Sequence, residues 1–416
     1  MARWRRVTRL PYGRPRLRGL LGPDPRASLQ TIVALLAALV GSVFAGVVLG
    51  ATVDTLEALP GLLVLVPAAT NLRGAIFGAL GGRLGTAMHT GQFSLALRAD
   101  TILGQNVLAA GAVSLVASLV LGVLAKVVAV GFGLAPTIGI ADYVTISIAA
   151  GVAAGVVMTG VTVAVAAGGA RFGWDLDNVT APVVSATSDM VTLPLIFAAT
   201  PLARIDVITP VLAWLAAIAG VIVFVASVRS HLEDLARAVR ESVPLLAVSG
   251  LVSLVAGLAI EKRLDSLSEV PAVLVLVPPF LAIGGALVGI LSSRLASNLH
   301  LGLIEPTGIP GREARRDIAR TYALALPMFV LCAGAVNMAS HLAGFASPGT
   351  IRLAEVALLG AAMAVTIAVG VAYAAGVLTF RLGLDPDNFG FPLVSSTMDV
   401  VGAFSLIVAV ATFGVA

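Results

Sequence analysis

Apolar residues follow one another along this chain in long runs, each bounded by a short polar segment. An α-helix of about 20 apolar residues spans the roughly 30 Å of hydrocarbon in a lipid bilayer. Eleven runs of about this length predict eleven transmembrane helices. They lie near residues 30–52, 60–82, 104–132, 140–168, 179–200, 207–228, 243–260, 271–292, 319–342, 353–379 and 391–414. The predicted fold class is therefore an all-α polytopic membrane protein.

The composition agrees with a chain that lies in lipid for most of its length. Hydrophobic residues make up 58% of the 416 residues and charged residues 12%, against about 45–50% and about 25% in soluble domains. The net charge of +4 comes from arginines in the tail and the short loops, which argues against a nucleic-acid partner. Cys332 is the single cysteine, which excludes intramolecular disulfides and a thiolate metal site.

Residues 1–29 form an Arg-rich tail ahead of the first apolar run. That run is too long for a signal peptide and lacks a small-residue cleavage site. Successive spans alternate in direction, so every second loop lies on the same side of the membrane as this tail. These loops contain more arginine than the loops on the other side, as cytoplasmic loops usually do. We therefore expect a multi-pass protein of the plasma or inner membrane, with its N-terminus in the cytoplasm and its C-terminus outside.

Two stretches of the sequence occur twice at nearly the same spacing. Residues 171–192 match residues 381–402 at an offset of 210, and residues 60–67 match residues 271–278 at an offset of 211. The matches predict two five-helix repeats, 30–200 and 243–416, joined by an extra helix and a loop at 201–242. Because that helix crosses the membrane once more, the repeats run parallel about a pseudo-two-fold axis along the membrane normal. Such repeats commonly enclose a substrate path at their interface, and a monomer would contain an internal pseudo-dimer.

One aspartate in each repeat lies deep within an apolar run. At about 1.5 Å per residue, Asp189 lies roughly 16 Å beyond Asn178, and Asp399 lies as deep beyond Asn388. An aspartate at the centre of a bilayer costs about 2.5–3.5 kcal/mol on insertion scales, so each should face a protein interior or a watery path. The structural alternative is that the two aspartates serve only as helix–helix hydrogen bonders.

Helical periodicity places further oxygen atoms on the face of these acids. At about 100° per residue, Asn178, Ser185 and Asp189 project within roughly 20° of one line. The corresponding residues of the second copy are Asn388, Ser395 and Asp399. Where two such faces meet, the carboxylates repel each other unless a cation or a proton lies between them. Oxygen ligands without Cys or His suit hard cations such as Mg²⁺, whereas a proton relay without metal is the alternative.

Further acids stand directly before these two helices. They are Asp175 and Asp177 in the first copy, and Asp385 and Asp387 in the second. The dipole of a helix stabilises acids at its N-terminus, and Asn178 is a natural N-cap there. This local role accounts for one or two of the four acids without any ligand.

The stretches DLDNVTAPVVSATSDMVTL and DPDNFGFPLVSSTMDVVGAF resemble the DPDN-to-Asp helix of the MgtE-type divalent cation transporters, in particular the two-repeat solute carrier family 41 branch. LVPAATNLRGAIFGALGGRLGTAMH and LVPPFLAIGGALVGILSSRLASNLH resemble that branch's Pro-containing helix. The resemblance implies transport of Mg²⁺ or a related divalent cation through a pore lined by the fifth helix of each repeat. It implies pore acids at Asp189 and Asp399. The implied acids of the inner mouth are Asp175, Asp177, Asp385 and Asp387.

The sequence also departs from that family's pattern. Ala75 and Ala286 stand where the family often carries Asn, and Leu176 rather than proline follows Asp175. The cytosolic sensor and CBS domains of bacterial MgtE channels have no counterpart here, so we expect their mode of closure not to apply.

The expected function is transport of Mg²⁺, with Mn²⁺ and other divalent cations as further candidate substrates. Asp189 and Asp399 would bind the ion at the midplane, mainly through its water shell. Side-chain oxygens of Ser185, Ser395, Asn178 and Asn388 would hold the rest of that shell. The alternatives are a proton- or sodium-coupled carrier of another solute, an intramembrane enzyme with two aspartates, and a purely structural bundle. The sequence contains neither a GxGD protease signature nor the closely spaced acidic motif of a lipid phosphotransferase, which argues against the enzyme.

Overall fold

The computed structural model describes residues 25–415, apart from residues 90, 92, 99–100, 173–175 and 383–385. These residues form thirteen α-helices, one short 3-10 turn at Thr200–Leu202, and no strand. The helices are α1 Pro25–Ala51, α2 Val53–Ala58, α3 Leu62–His89, α4 Ile102–Gly131, α5 Ile140–Phe172, α6 Leu176–Ala199, α7 Ile208–Val228, α8 Glu233–Glu261, α9 Leu264–Ser268, α10 Pro271–His300, α11 Arg312–Leu342, α12 Thr350–Arg381 and α13 Pro386–Phe413. Eleven of them, all except α2 and α9, are long and apolar enough to cross a membrane, which confirms the all-α polytopic prediction.

Several helices extend beyond the apolar runs that predicted them. α8 begins at Glu233 rather than near 243, and α11 begins at Arg312 rather than near 319. Hydropathy marks only the lipid-facing part of a helix, whereas the polar first turns of α8 continue the same helix with Glu233 and Asp234 at the positive end of its dipole. α3 and α10 also continue without a break through Pro67 and Pro278.

The N-cap prediction for Asn178 is wrong. Asn178 lies inside α6, which begins at Leu176, and Asn388 lies inside α13, which begins at Pro386. Proline is favoured in the first turn of a helix because it has no backbone N–H to leave unpaired and its φ is already helical. The start of α13 at Pro386 follows this rule, and both helices therefore begin closer to the paired acids than the Asn residues suggested.

We call the side of the bundle at which α1 begins the N-side, and the opposite side the C-side. Successive spans alternate in direction, as contacts between helix ends show. On the C-side, Lys262 after α8 donates to the carbonyl of Phe132 after α4, with an Nζ to O distance of 2.7 Å. On the N-side, Arg381 at the end of α12 donates to the carbonyl of Pro306 before α11.

The first helix of each half of the chain packs against the other half. α1 crosses α10 at Gly46, where a Cβ would overlap the carbonyl oxygen of Val275. α8 crosses α3 at Gly257, where a Cβ would overlap the carbonyl oxygen of Val64. Residues 46 and 257 differ by 211 in number, and so do residues 64 and 275. Small residues at both crossings let the backbones touch, so the two halves interlock through equivalent contacts.

Burial divides the helices into a centre and a lipid-facing rim. The most apolar part of α10 is 72% buried, whereas that of α7 is 11% buried. α7 presents large apolar side chains such as Trp214 and Ile222 to its surroundings, as a helix does where its environment is lipid rather than water. α3 and α10 therefore form the centre of the bundle.

The C-side end of α3 is held in place by hydrogen bonds from two other helices. The carboxylate of Glu261, in the last turn of α8, accepts from the backbone N–H groups of Gly61 and Leu63 at 2.5 and 3.0 Å. The hydroxyl of Tyr143 in α5 donates to the carbonyl of Gly61 at 2.9 Å. A carboxylate at a helix N-terminus satisfies backbone donors that have no partner within the helix. These bonds fix the register of α3 relative to α8.

Candidate functional site

A cavity of about 1240 Å³ lies at the centre of the bundle. Side chains from α3, α4, α6, α8, α10 and α13 line most of it. Four of the side chains proposed from the sequence lie on its wall: Ser185 and Asp189 from α6, and Ser395 and Asp399 from α13. The structure thus brings the acid-bearing faces of the two helices to one shared space.

Asp399 is held by two hydrogen-bond donors from other helices. The amide nitrogen of Asn71 in α3 donates to its Oδ2 at 2.9 Å, and the hydroxyl of Ser253 in α8 donates to the same oxygen at 2.6 Å. The Asn71 amide also donates to Ser253 Oγ at 3.0 Å, and its own oxygen accepts from Ser395 Oγ at 3.0 Å. A carboxylate can only accept, so this orientation of the amide is the one that the network requires.

Asp189 has different surroundings, although it occupies the equivalent position in the first half. Within the described part of the chain, its Oδ2 is buried and has no hydrogen-bond partner. The hydroxyl of the neighbouring Ser188 donates to the carbonyl of Thr70 in α3 at 2.9 Å, which ties α6 to α3 without engaging the carboxylate. A buried carboxylate oxygen without a partner is costly, and here it lines a cavity large enough for a hydrated ion.

The difference between the two acids can be traced to two positions. Ala282 lies 211 residues after Asn71 and also lines the cavity, but it has no group that could donate. Ser42 lies 211 residues before Ser253, and its hydroxyl donates instead to the carbonyl of Ala38 in its own helix at 2.7 Å. Asp189 therefore lacks counterparts of both donors that hold Asp399.

The remaining predicted site residues lie at the limits of the described structure. Asp175 and Asp385 lie outside the described residues. The backbone is helical at Asp177, Asn178, Asp387 and Asn388, and their side chains lie outside the described part. The role of all six at the mouth or in the ion's shell stays a prediction.

The cavity also reaches charged residues that the sequence analysis did not assign to the site. They are Arg83 near the N-side end of α3, and Asp234, Arg237 and Glu241 in the first turns of α8. Between them and the aspartates the wall is formed by Gly78 and Gly82, where an added Cβ would meet nothing within 4 Å. The open space thus runs from Asp189 and Asp399 toward the N-side.

Arg73 is a second buried charge close to the site in sequence, and the sequence analysis did not assign it a role. Its side chain is 1% exposed, and its guanidinium contacts the hydroxyls of Ser114 and Ser118 in α4. A Cβ at Gly151 in α5 would overlap both Ser118 and the guanidinium, so glycine makes the space for this charge. The two aspartates were identified because they are charged residues within apolar spans, and the same criterion would have identified Arg73.

The donor set suits a cation that keeps its water. No group of three or more His, Cys, Asp or Glu side chains that could hold a bare metal ion occurs among the described residues. Two carboxylates and two hydroxyls facing a large cavity match the way proteins hold Mg²⁺, which loses water reluctantly and is usually bound through one or two carboxylates.

Comparisons with known proteins give concordant matches. The family model MgtE, described as divalent cation transporter, matches residues 66–199 and 277–409, which together are more than half of the chain. Solute carrier family 41 member 2 of Xenopus laevis is 27% identical over 412 residues, covering 90% of this chain and 70% of its own length. Its human counterpart is 25% identical, covering 90% and 68%. Solute carrier family 41 member 3 of Mus musculus is 24% identical, covering 90% and 80%. No solved structure matches the chain.

Proposed function

The chain belongs to the MgtE family of divalent cation transporters, and we propose that it carries Mg²⁺ across the membrane through the cavity between α3, α6, α10 and α13. In this proposal Asp189 and Asp399 together bind the ion. The observation that carries it is that the two acids, one from each half of the chain, line the same cavity. Two carboxylates in a membrane interior repel each other, and a divalent cation between them removes that repulsion.

Binding through the water shell follows from the same donors. The free Oδ2 of Asp189 can accept a hydrogen bond from a water of the ion, and the hydroxyls of Ser185 and Ser395 line the same space. Water-mediated contacts are nearly as favourable in enthalpy as direct ones. An ion held in this way keeps its shell and can leave again, as transport requires.

The route to the N-side follows the open wall at Gly78 and Gly82. In our proposal Asp175, Asp177, Asp385 and Asp387 form the mouth at this side, and Asn178 and Asn388 hold waters of the ion. Asp234 and Glu241 of α8 add negative charge to the same end of the cavity. Acids at the mouth of a narrow path raise the local concentration of cations.

We propose that the N-side faces the cytoplasm, because the Arg-rich tail and loops lie there. An impermeant thiol reagent on intact cells tests this with two variants of exposed loop positions, Asp206→Cys on the C-side and Glu305→Cys on the N-side. Asp206→Cys should react from outside, and Glu305→Cys only after permeabilisation. Cys332 is buried and gives a low background. The reverse labelling pattern would overturn this orientation.

The Mg²⁺ assignment is tested by flux into proteoliposomes that contain the purified full chain. The double variant Asp189→Asn/Asp399→Asn keeps the size of both side chains and removes both charges. We expect Mg²⁺ uptake to fall at least about tenfold, since a loss of 1.4 kcal/mol in binding already weakens an ion site by that factor. The control is Asp206→Asn, an acid on the exposed C-side surface away from the cavity. A folded double variant with undiminished uptake would show that the aspartates do not carry the ion.

A further inference from the structure

Asn71 is one of the two donors that distinguish Asp399 from Asp189, and it makes the larger number of contacts. Its side chain extends from α3, in the first half of the chain, to Asp399 and Ser395 of α13 and to Ser253 of α8, in the second half. Both the nitrogen and the oxygen of its amide are bonded, so the side chain has little freedom to turn. Asn71 thus joins the two halves at the cavity wall.

The hydrogen bonds from Asn71 and Ser253 change what Asp399 can do. Its Oδ2 already accepts two donors, at 2.9 and 2.6 Å, and these donors point their positive ends at the oxygen. A bare cation that approached the same oxygen would have to displace or repel them. Asp189 Oδ2 is under no such constraint.

We propose that Asn71 is a positioning residue that makes the cavity select hydrated Mg²⁺ over Ca²⁺. It occupies Oδ2 and orients Asp399, so that this carboxylate attracts the ion by charge and through water but does not turn to coordinate it with both oxygens. Asp189 Oδ2 has no such donor among the described residues. This inference rests on the proposed function and adds to it the basis of the ion preference.

The selectivity follows from how the two ions bind. Mg²⁺ retains several waters in proteins, whereas Ca²⁺ exchanges its water readily for six to eight oxygen ligands, including bidentate carboxylates, in flexible geometry. A second carboxylate that is free to turn and coordinate would therefore favour Ca²⁺ more than Mg²⁺. By keeping Asp399 in place, Asn71 withholds those ligands.

The test compares Mg²⁺ and Ca²⁺ flux in proteoliposomes for the wild-type chain and Asn71→Ala. We expect the ratio of Mg²⁺ to Ca²⁺ flux, each taken as maximal rate over apparent KM, to fall about tenfold, a change of 1.4 kcal/mol in relative affinity. Ser253→Ala, which removes the other donor to the same oxygen, should lower the ratio in the same direction. Asn71→Gln, which keeps the amide, should restore part of it.

Asn106→Ala is the matched control. Asn106 is buried and lines the same cavity, but its amide donates to the carbonyl of Ile102 in its own helix at 2.9 Å. Its removal should leave the ion ratio unchanged. If Asn71 were only a structural link between α3 and α13, Asn71→Ala would lower thermal stability or maximal rate and leave the ratio of the two ions as it was, and the inference would be overturned.

The two proposals can fail separately. If the wild-type chain carries no Mg²⁺, the proposed function is wrong whatever the variants do. If the wild-type chain carries Mg²⁺ and a folded Asn71→Ala keeps the wild-type ion ratio, only the role of Asn71 is wrong. Should Asn71→Ala fail to fold, Ser253→Ala decides the question, because the same oxygen loses a donor.

Discussion

At the scale of single residues, Asp189 and Asp399 occupy equivalent positions in two similar helices but have different neighbours. Asp399 meets an amide and a hydroxyl from two other helices, whereas the positions equivalent to these donors hold Ala282 and a serine bonded to its own helix. Asp399 is stabilised by protein donors, whereas Asp189 Oδ2 has none in the described part of the chain.

The single variants Asp189→Asn and Asp399→Asn should therefore differ. We expect Asp189→Asn to raise the apparent KM for Mg²⁺ more than Asp399→Asn, because it removes the charge of the carboxylate whose Oδ2 has no donor from the described part of the protein. Asn at position 399 still offers one oxygen to Asn71 and Ser253, so the wall keeps its shape. Mg²⁺-dependent uptake curves of the two variants measure this. Equal shifts, or a larger one for Asp399→Asn, would contradict the division of roles.

At the scale of helices, the close crossings of α1 on α10 and of α8 on α3 hold the cavity walls together. At both crossings the nearest atom is a backbone carbonyl oxygen, which cannot turn aside as a flexible side chain could. Because α3 carries Asn71 and α8 carries Ser253, the crossing at Gly257 also fixes the two donors that hold Asp399.

Gly46→Ala and Gly257→Ala should each lower the thermal stability of the detergent-solubilised chain. Each added methyl group forces two helix backbones apart, and overpacking of this kind costs about 1–3 kcal/mol. Gly370→Ala in α12 is the control, since a Cβ there meets nothing within 4 Å and alanine favours a helix. Melting temperatures of the three variants give the comparison. If Gly46→Ala and Gly257→Ala melt no lower than Gly370→Ala, the crossings are not the tight contacts described.

The helices illustrate which features could be predicted from the sequence and which could not. The thickness of the hydrocarbon layer sets the length of apolar chain that one span needs, so counting the apolar runs of that length predicts the number of spans. The first turns of α8 and the start of α6 could not be predicted from hydropathy, because they depend on helix propensity and on capping.

In the cavity, too, local relations between residues could be predicted from the sequence and long-range contacts could not. Helical periodicity placed Ser185 and Asp189 on one face because that relation is local. The bond between Asn71 and Asp399 joins residues 328 apart in the chain, and no local pattern encodes it. Nothing in either motif indicated that the two acids would have different partners.

At the scale of the whole molecule, the transporter is an interlocked bundle with its polar residues at the centre and its apolar surface outside. α1 lies on the second half of the chain, α8 lies on the first, and Asn71 joins the halves at the cavity. Both halves therefore contribute to the wall of the cavity, and the two aspartates line it together. The division into repeats 30–200 and 243–416 remains a prediction, consistent with these crossings.

In the proposed function, one divalent cation binds between Asp189 and Asp399. The most direct measurement is the anomalous difference density of the full chain crystallised with Mn²⁺, a divalent substitute for Mg²⁺ that scatters strongly enough to be located. We expect a peak in the cavity between the two carboxylates, nearer to Asp189 Oδ2 and separated from Asp399 by water. This peak should weaken when Mg²⁺ competes with Mn²⁺. A peak elsewhere, or an empty cavity at Mn²⁺ concentrations that saturate transport, would contradict it.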